Sequence, residues 1–394
     1  MNSILNGIRV LDFGRFIAGP YCAALLGQMG ADVIRIERPG GGEDRFLAPI
    51  TDLGEGGMFM QVNTNKQGLT LDITSEKGRE IVRQLVKTAD VVVANMPPEV
   101  LTALGLDYET LSSLKEDIIL VANSAFGNQT PYANQIGFDG IAQAMSGTNF
   151  YSGKPGKPMR TAVPYIDFST ALSATLGTLA ALMARQKTGK GQLVETSLLG
   201  TGLTIANSLL IEQAVIDANR VPTGNQGQIA APADLFKTKD GHIVVQIVGP
   251  YIYKRWAKLM GDPSLLTDER FKDDISRGNN SQIVNDIMSN WTMSRTTEEA
   301  MVELAEARIP SGPVLSIQQS LDDPRVQALG HLKPVEYPGA PRPAPIADIP
   351  FQLSETAVGV TQRAPTIGEH NQQILSELGY SDADIAKLVA EGIL

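Results

Sequence analysis

The chain has 394 residues, 43% of them hydrophobic and 19% charged, which is typical of a globular protein long enough for two domains. Its formal net charge of −10 argues against a nucleic-acid partner or an anionic membrane, because both repel an acidic surface. The single cysteine, Cys22, excludes an intramolecular disulfide. With no visible secretory signal and no uninterrupted apolar run of bilayer length, we expect a cytoplasmic protein outside the membrane.

The first part of the chain alternates short apolar segments with helical ones. Five segments are predicted as strands: 7–13, 31–37, 69–73, 90–96 and 118–122. A helix is predicted over 20–29, ending at Gly30, and Thr74 or Ser75 is expected to cap the next one. This alternation predicts an α/β fold with a mostly parallel sheet covered on both faces. Ligands of such sheets bind beyond the carboxyl ends of the strands.

The sequence changes character near Gly224. A stretch rich in glycine and glutamine, 224–229, precedes a predicted β-hairpin that turns at 239–241. A charged helical region follows, the proline-rich stretch 341–350 indicates a linker, and 381–394 is predicted to be helical. The second half therefore predicts a smaller α+β region.

The sequence lacks several familiar site motifs. No GxGxxG follows the first strand, and there is no phosphate-binding GxxxxGK[ST], HExxH, CxxC, EF-hand or GxSxG pattern. His242, His331 and His370 are the only histidines, so no metal site is expected. An enzyme of this composition is expected to depend on carboxylates.

One aspartate, Asp167, directly precedes a predicted long helix rich in alanine and other small residues. The positive end of the helix dipole and free backbone N–H groups would both favour its ionised form. By position alone, an ordinary N-terminal cap is the better interpretation, because most aspartates before helices are caps.

An ordered series of short motifs along nearly the whole chain resembles the family III CoA-transferases. This group includes the formyl-CoA:oxalate and carnitine CoA-transferases and is related to α-methylacyl-CoA racemase. The motifs are 5–13 (LNGIRVLDF), 18–20 (AGP), 30–39 (GADVIRIERP), 63–66 (NTNK), 95–105 (NMPPEVLTALG), 124–127 (SAFG), Asp167, 187–192 (KTGKGQ), 240–241 (DG) and 368–370 (GEH). No single motif is specific, but their order is.

The resemblance implies a division into domains that composition does not reveal. A large Rossmann-like domain with the parallel sheet would comprise residues 1–200 and 330–394. A linker at 201–224 would lead to a smaller α+β domain at 225–329. Two such ring-like subunits would interlock as a homodimer.

The resemblance also implies covalent catalysis by Asp167. Its carboxylate would attack an acyl-CoA thioester to give a mixed anhydride, CoA thiolate would convert this to an aspartyl-CoA thioester, and an acceptor acid would reverse these steps. No general base is needed, because the attacking acids are ionised at neutral pH. Acyl-CoA and a small carboxylic acid are thus the expected substrates, and no tightly bound cofactor is expected. The two acids stay open, with succinate and oxalate as natural candidates.

Five positions match residues that contact CoA in the family. Arg38 matches the basic residue after the second strand, and Ile17, Leu71, Asn95 and Met96 match positions that line the nucleotide and pantetheine. A surface role for Arg38 and a core role for Leu71 or Met96 are the alternatives.

The phosphate contacts must differ from those of formyl-CoA transferase. Ala103 and Thr74 stand where that enzyme has an arginine and a lysine, and Lys66 or Arg45 are candidate replacements. Arg160 is a candidate partner for a second substrate carboxylate, or else a surface residue.

Two further regions bear on the reaction. Gly224, Gly227 and Gln228 match a family loop that closes over the intermediate, and a plain interdomain linker is an equal alternative. Phe138 stands where the racemase relatives carry a histidine that works with the aspartate in proton transfer. Phenylalanine cannot transfer protons, so it packs against the acyl group or fills the core, and Asp139 beside it is interpreted as structural.

The sequence leaves three functions open. CoA transfer is favoured. An acyl-CoA racemase or isomerase of the same fold would use Asp167 as a base, and the phenylalanine at 138 argues against it. A non-catalytic CoA-binding protein would not need Asp167 at all.

Overall fold

The computed structural model describes residues 3–394. The strands in this part of the chain are β1 (Arg9–Asp12), β2 (Asp32–Glu37), β3 (Gln67–Thr70), β4 (Val91–Ala94), β5 (Ile119–Ser124), β6 (Leu193–Ser197), β7 (Ala233–Lys237), β8 (His242–Gln246), β9 (Ser311–Pro313), β10 (Leu332–Val335) and β11 (Ala344–Ala347). The α-helices are α1 (Ala18–Gln28), α2 (Gly57–Val62), α3 (Glu76–Thr88), α4 (Pro98–Leu104), α5 (Tyr108–Leu114), α6 (Asp139–Met145), α7 (Thr148–Tyr151), α8 (Tyr165–Thr188), α9 (Leu198–Ile216), α10 (Pro250–Met260), α11 (Asp274–Asn279), α12 (Ser281–Met293), α13 (Thr297–Glu306), α14 (Ile317–Asp322), α15 (Pro324–Leu329), α16 (Asn371–Glu377) and α17 (Asp382–Ala390). Short 3₁₀ helices lie at Glu43–Phe46, Pro263–Leu266 and Glu269–Phe271.

The first six strands form one parallel sheet in the order β3-β2-β1-β4-β5-β6. The predicted parallel α/β sheet is confirmed, and all five predicted strands belong to it. Strand β6 was not predicted, because its partly exposed edge sequence lacks the apolar run of the central strands. The chain moves outward from β1 to β3 and then returns to place β4 on the other side of β1. The strand order thus reverses between β1 and β4.

Both faces of this sheet are covered by helices, as expected for a parallel sheet. Along β1, Val10 faces one hydrophobic core and Leu11 faces the other. Helices α1 and α8 contribute to the Val10 core, and α3, α16 and α17 to the Leu11 core. Ser75 caps α3 as predicted, since its side chain accepts a hydrogen bond from the Gly78 N–H.

The chain divides into two compact units. The first contains the residues up to Ser146, Thr161–Ile211 and Leu329–Leu394, and the second contains Gly147–Arg160 and Glu212–Ala328. Most of the segment 201–224, expected to be a linker, lies in helix α9.

The second unit has its own antiparallel sheet, in the order β7-β8-β9, and its own core. The predicted hairpin is confirmed, with Lys237 paired to His242 around the turn at 239–241. In the first unit, the proline-rich stretch 341–350 was wrongly predicted as a linker, because it contributes β11, which pairs with β10. Pro334 and Pro345 stand opposite each other there, as a two-stranded ribbon with only edge strands permits.

A buried lysine holds the loop that follows β1. Lys66 Nζ donates hydrogen bonds to Asp12 Oδ2 at 2.7 Å, to the Pro20 carbonyl at 2.7 Å and to Asn63 Oδ1 at 2.8 Å. The other Asp12 oxygen accepts the Gly14 N–H at 2.8 Å. Burial lowers the pKa of Lys66 to about 8, against the opposing effect of the Asp12 charge. The end of β1 and the start of α1 are therefore tied to one ion pair.

A second buried ion pair supports the same loop. Arg35 Nη2 lies 2.8 Å from Asp44 Oδ2, and Arg35 Nη1 donates to the Gly14 carbonyl at 3.2 Å. Asp44 Oδ2 also accepts the Phe16 N–H at 3.3 Å. Phe16 has a φ of 63°, a left-handed conformation that non-glycine residues seldom adopt, so these contacts hold a strained backbone in place.

The expectation that Lys66 or Arg45 contacts phosphate is wrong, because both side chains are buried and paired inside the protein. Lys66 is 2% exposed and Arg45 is fully buried. Arg45 forms an ion pair with Glu37 and lies 3.9 Å from the centre of the Phe59 ring. A local pattern of basic residues does not distinguish such internal pairs from surface charges.

The buried lysine leads to a stability prediction. Lys66→Ala leaves the Asp12 carboxylate buried without its partner, so we expect the free energy of unfolding to fall by about 3–5 kcal/mol. Urea denaturation measures it. The matched control is Lys190→Ala, at an exposed lysine, with an expected change within about 0.5 kcal/mol. Equal small effects of both substitutions would contradict the prediction.

Candidate active site

A cleft of about 330 Å³ opens at the carboxyl ends of β1, β4 and β5. This is the edge of the sheet where the strand order reverses, and ligands of α/β sheets commonly bind there. Five of the residues predicted from the sequence line this cleft together: Ile17, Asn95, Met96, Phe138 and Asp167.

A second cleft, of about 350 Å³, adjoins the first. It is lined by Arg38 and Leu71, and it shares Arg15, Met96 and Val100 with the first cleft. The predicted CoA-contacting residues thus fall into two neighbouring clefts, with Met96 on both.

Asn95 fixes the loop between β1 and α1. Its Oδ1 accepts the Arg15 N–H at 2.8 Å and its Nδ2 donates to the Arg15 carbonyl at 2.7 Å. Gly19 permits this close approach, because a Cβ there would lie 3.3 Å from Asn95 Cγ and 3.1 Å from Gly14 Cα. Both polar atoms of the Asn95 amide are therefore used within the protein.

Phe138 stands on the cleft wall, since 54% of its surface is exposed. Its ring meets that of Phe16 edge to face, with the ring centres 5.4 Å apart. The alternative that it fills the core is wrong, because a core side chain would be covered. The two rings give the cleft an apolar wall.

Asp167 lies inside the first turn of α8, because the helix begins at Tyr165. The capping role belongs to Asp139, whose Oδ2 accepts the N–H groups of Ile166 at 2.7 Å and Asp167 at 3.0 Å. Asp139 is 5% exposed and receives a further hydrogen bond from Gln143. The structural role expected for Asp139 fits these contacts, whereas the interpretation of Asp167 as a cap is wrong.

The pKa of Asp167 is raised to about 7, first by burial of the carboxyl and second by the negative charge of Asp139. This contradicts the expectation that the helix terminus favours ionisation. The available N–H groups are already bound to Asp139, so they do not stabilise an Asp167 carboxylate. At neutral pH the side chain is therefore divided between its acid and carboxylate forms.

The predicted loop lies in the second unit and is held by contacts within it. The Gly224 N–H donates to the Gly153 carbonyl at 2.7 Å, and Gly224 has a φ of 72°. The Gln228 side chain donates to the Val221 carbonyl at 2.9 Å. Gly227 packs against Ala233, where a Cβ would come within 2.7 Å of the alanine methyl. Closure of this loop over an intermediate stays a prediction.

Other cleft residues were missed by the sequence analysis. Arg15, Asn123 and Ser124 line the first cleft, and each lies at or just beyond the carboxyl end of β1 or β5. Their position at the ends of predicted strands was the sequence feature that could have identified them as cleft residues. Arg160, in the second unit, is exposed.

No group of three or more histidine, cysteine, aspartate or glutamate side chains within residues 3–394 is arranged to hold a metal ion. Two helices, α8 and α9, are long and apolar enough to cross a bilayer by length and composition alone. Core helices of soluble proteins meet the same criteria, and α8 packs against the sheet.

The raised pKa of Asp167 predicts a pH-dependent stability. An acid whose pKa is raised in the folded state must be kept protonated by folding once the unfolded chain ionises, so the free energy of unfolding falls as the pH rises from the ordinary aspartate range to about 7 and then levels off. Asp167→Asn cannot ionise, so its stability relative to the wild type should be on the order of 2 kcal/mol greater at pH 8 than at pH 5.

Urea denaturation at both pH values measures this difference. Glu355→Gln, at an exposed carboxylate, is the matched control and should show none. A stability difference for Asp167→Asn that is the same at pH 5 and pH 8 would show that the carboxyl titrates normally.

Known proteins are similar to this chain over nearly its full length. The sequence model of CoA-transferase family III matches residues 5–371. The chain is 32% identical to succinyl-CoA–D-citramalate CoA-transferase of Chloroflexus aurantiacus, over 99% of this chain and 98% of that one. It is 33% identical to succinyl-CoA:mesaconate CoA-transferase of Haloarcula hispanica, over 95% of this chain and 96% of that one.

A solved structure is also similar. The crystal structure of a CAIB/BAIF family protein from Brucella suis matches with a TM-score of 0.83 and 29% identity, over 96% of this chain and 100% of that chain. The similarity in sequence and fold covers nearly the full length, so the resemblance inferred from the motifs is confirmed. The chain belongs to CoA-transferase family III and is a CoA-transferase.

Proposed function

We propose that this enzyme moves CoA from a dicarboxylic acyl-CoA such as succinyl-CoA to a second small carboxylic acid, through covalent intermediates on Asp167. The observation that carries the proposal is the single carboxylate on the first cleft. Among the described residues that line it, Asp167 and Arg15 are the only charged ones. The two similar enzymes are named as succinyl-CoA-dependent transferases to citramalate or mesaconate, which supports this donor class.

The reaction proceeds by two exchanges at carboxyl groups. An Asp167 oxygen attacks the thioester carbon and the carbon–sulfur bond breaks. CoA departs as the thiolate, and a mixed anhydride of Asp167 and the donor acid remains. The thiolate then attacks the Asp167 acyl carbon, which releases the donor acid and leaves an aspartyl-CoA thioester. The acceptor carboxylate attacks this thioester to form a second anhydride. CoA thiolate takes the acceptor acyl group from it and restores the free aspartate.

The second cleft supports an orientation for CoA. Of its arginines, Arg15 pairs with Glu43 and Arg35 pairs with Asp44, so both charges are already balanced. Arg38 is exposed, and no ion pair to it is found among the described residues. A phosphate of CoA would bind Arg38, and the pantetheine arm would pass the residues shared by the two clefts to reach Asp167.

The racemase alternative has one observation in its favour. A pKa of about 7 suits a general base as well as a nucleophile. Racemisation needs a second acid or base on the other face of the carbon, and the one other charged group among the described lining residues is the guanidinium of Arg15. CoA transfer needs only Asp167, so it fits the described site better.

An apolar surface on the first unit supports a homodimer. Leu172, Leu176 and Met183 on α8 are 44%, 70% and 63% exposed, and Ile205 and Ile211 on α9 are 47% and 53% exposed. Exposed apolar surface of this extent is typical of an interface, and we propose that a second copy of the chain covers it. Sedimentation velocity should give twice the monomer mass, whereas a stable monomer would contradict the proposal.

We also propose that the protein is cytoplasmic. Cys22, the single cysteine, is fully buried, and burial raises the pKa of its thiol to about 12. A protonated thiol without a second cysteine gives the chain no disulfide chemistry, which supports a cytoplasmic location.

The covalent step is tested by trapping. Wild-type protein mixed with succinyl-CoA and no acceptor should form an adduct that hydroxylamine converts to a hydroxamate at Asp167, located by peptide mass spectrometry. Only the carboxylate attacks, so the rate of adduct formation should rise with pH through about 7. Asp167→Ala should form no adduct and lose at least about 1,000-fold in kcat.

Glu355→Gln serves again as the unaffected control. If wild-type protein forms no adduct with any acyl-CoA and exchanges the hydrogen next to the thioester of a 2-methylacyl-CoA for deuterium, the racemase alternative replaces CoA transfer.

The CoA orientation is tested at Arg38. Arg38→Ala removes a charged contact to phosphate, so KM for acyl-CoA should rise about 10-fold while kcat changes little. Steady-state kinetics measures both constants. Arg342→Ala, at an exposed arginine that lines neither cleft, is the control. An unchanged KM for Arg38→Ala would place the phosphates elsewhere.

A further inference from the structure

Most polar side chains on the first cleft already have partners in the protein. The charge of Arg15 is balanced by Glu43, and both amide atoms of Asn95 bind the Arg15 backbone. The Ser124 hydroxyl donates to the Thr196 carbonyl at 3.3 Å and also accepts a backbone N–H. Each of these groups therefore already has at least one contact within the protein.

Asn123 differs from these groups in one polar atom, Nδ2. It lies near the carboxyl end of β5 beside Thr196 of β6, is 3% exposed, and lines the first cleft. Its Oδ1 accepts a hydrogen bond from the Thr196 hydroxyl. Its Nδ2 is buried and has no hydrogen-bond partner among the described residues. Buried polar groups are nearly always paired, so a donor left unpaired beside a binding cleft requires an explanation.

We propose that Asn123 determines specificity by donating from Nδ2 to the distal carboxylate of a dicarboxylic substrate whose other carboxyl is at Asp167. This inference rests on the proposed function. Asp167 is an acceptor and cannot bind a second carboxylate, whereas the Asn123 amide can. The terminal torsion of asparagine is broad, so the amide has the rotational freedom to meet a substrate atom.

The rest of the cleft fits such a substrate. Ile17, Phe16 and Phe138 provide an apolar wall for the carbon chain between the two carboxyl groups. A mostly apolar cleft with a few placed polar groups is typical of small-molecule sites. A site built to hydrogen-bond one substrate group rejects analogues that lack it, because its own polar group then stays unpaired.

Two substitutions and two donors test the proposal. Asn123→Leu removes the donor at similar size. Asn123→Asp keeps an acceptor for the Thr196 hydroxyl and replaces the donor with a negative charge. Succinyl-CoA and butyryl-CoA have acyl chains of equal length, and only the former carries a distal carboxylate. Values of kcat/KM for both donors give the selectivity, and thermal unfolding shows whether each variant is folded.

Asn123→Leu should lower kcat/KM for succinyl-CoA about 10- to 100-fold and leave that for butyryl-CoA unchanged or higher. Asn123→Asp should lower the succinyl-CoA value further, because like charges would face each other. An equal loss with both donors would overturn the proposal, because the amide would then act at the shared thioester. No loss with either donor would also overturn it, because water would satisfy Nδ2.

The trapping experiment separates this inference from the proposed function. A hydroxamate at Asp167 in the Asn123 variants, without altered selectivity, would overturn the specificity role alone. Failure of the wild-type protein to form any adduct would overturn the covalent function itself.

Discussion

The buried contact between Asp12 and Lys66 is the interaction on which both the sheet and the clefts depend. One Asp12 oxygen binds Lys66 and the other holds the Gly14 N–H, while Lys66 also binds the Pro20 carbonyl. The strand end, the following loop and the start of α1 are thereby joined at one point. Burying such charges is unfavourable unless their remaining hydrogen bonds are satisfied, and here they are. The loop between β1 and α1, which lines both clefts, is thus held in place by this buried ion pair.

Two aspartates, Asp139 and Asp167, have different roles at the start of α8. Asp139 accepts the N–H groups of Ile166 and Asp167 at the start of the helix, so they are not available to the Asp167 carboxyl in the first turn. The capping charge then acts on Asp167 as a nearby negative charge and raises its pKa together with burial. A carboxylate that is poorly stabilised by its surroundings is a better nucleophile than one held by several donors. The same arrangement therefore stabilises the helix and leaves Asp167 in the state that its proposed role as a nucleophile requires.

Polar groups on the first cleft fall into two classes with different purposes. Those that fix backbone, such as Asn95 and Ser124, are hydrogen-bonded within the protein and give the cleft its shape. The Asp167 carboxyl and the Asn123 Nδ2 differ from them, because burial raises the pKa of Asp167 to about 7 and Nδ2 has no hydrogen-bond partner among residues 3–394. A rigid frame with a few uncommitted polar groups is how a mostly apolar cleft acquires specificity.

The sequence by itself determined the features that depend on local pattern. Alternating segments predicted the parallel sheet, the turn at 239–241 predicted the hairpin, and the ordered motifs identified the family. Only the tertiary structure decided that β6 joins the sheet, that Asp139 caps a helix 26 residues further along the chain, and that Lys66 is an internal ion-pair partner. Each of these rests on contacts between residues distant in sequence. Local propensity carries no information about such contacts, and charge, burial and hydrogen bonding at a site follow from them.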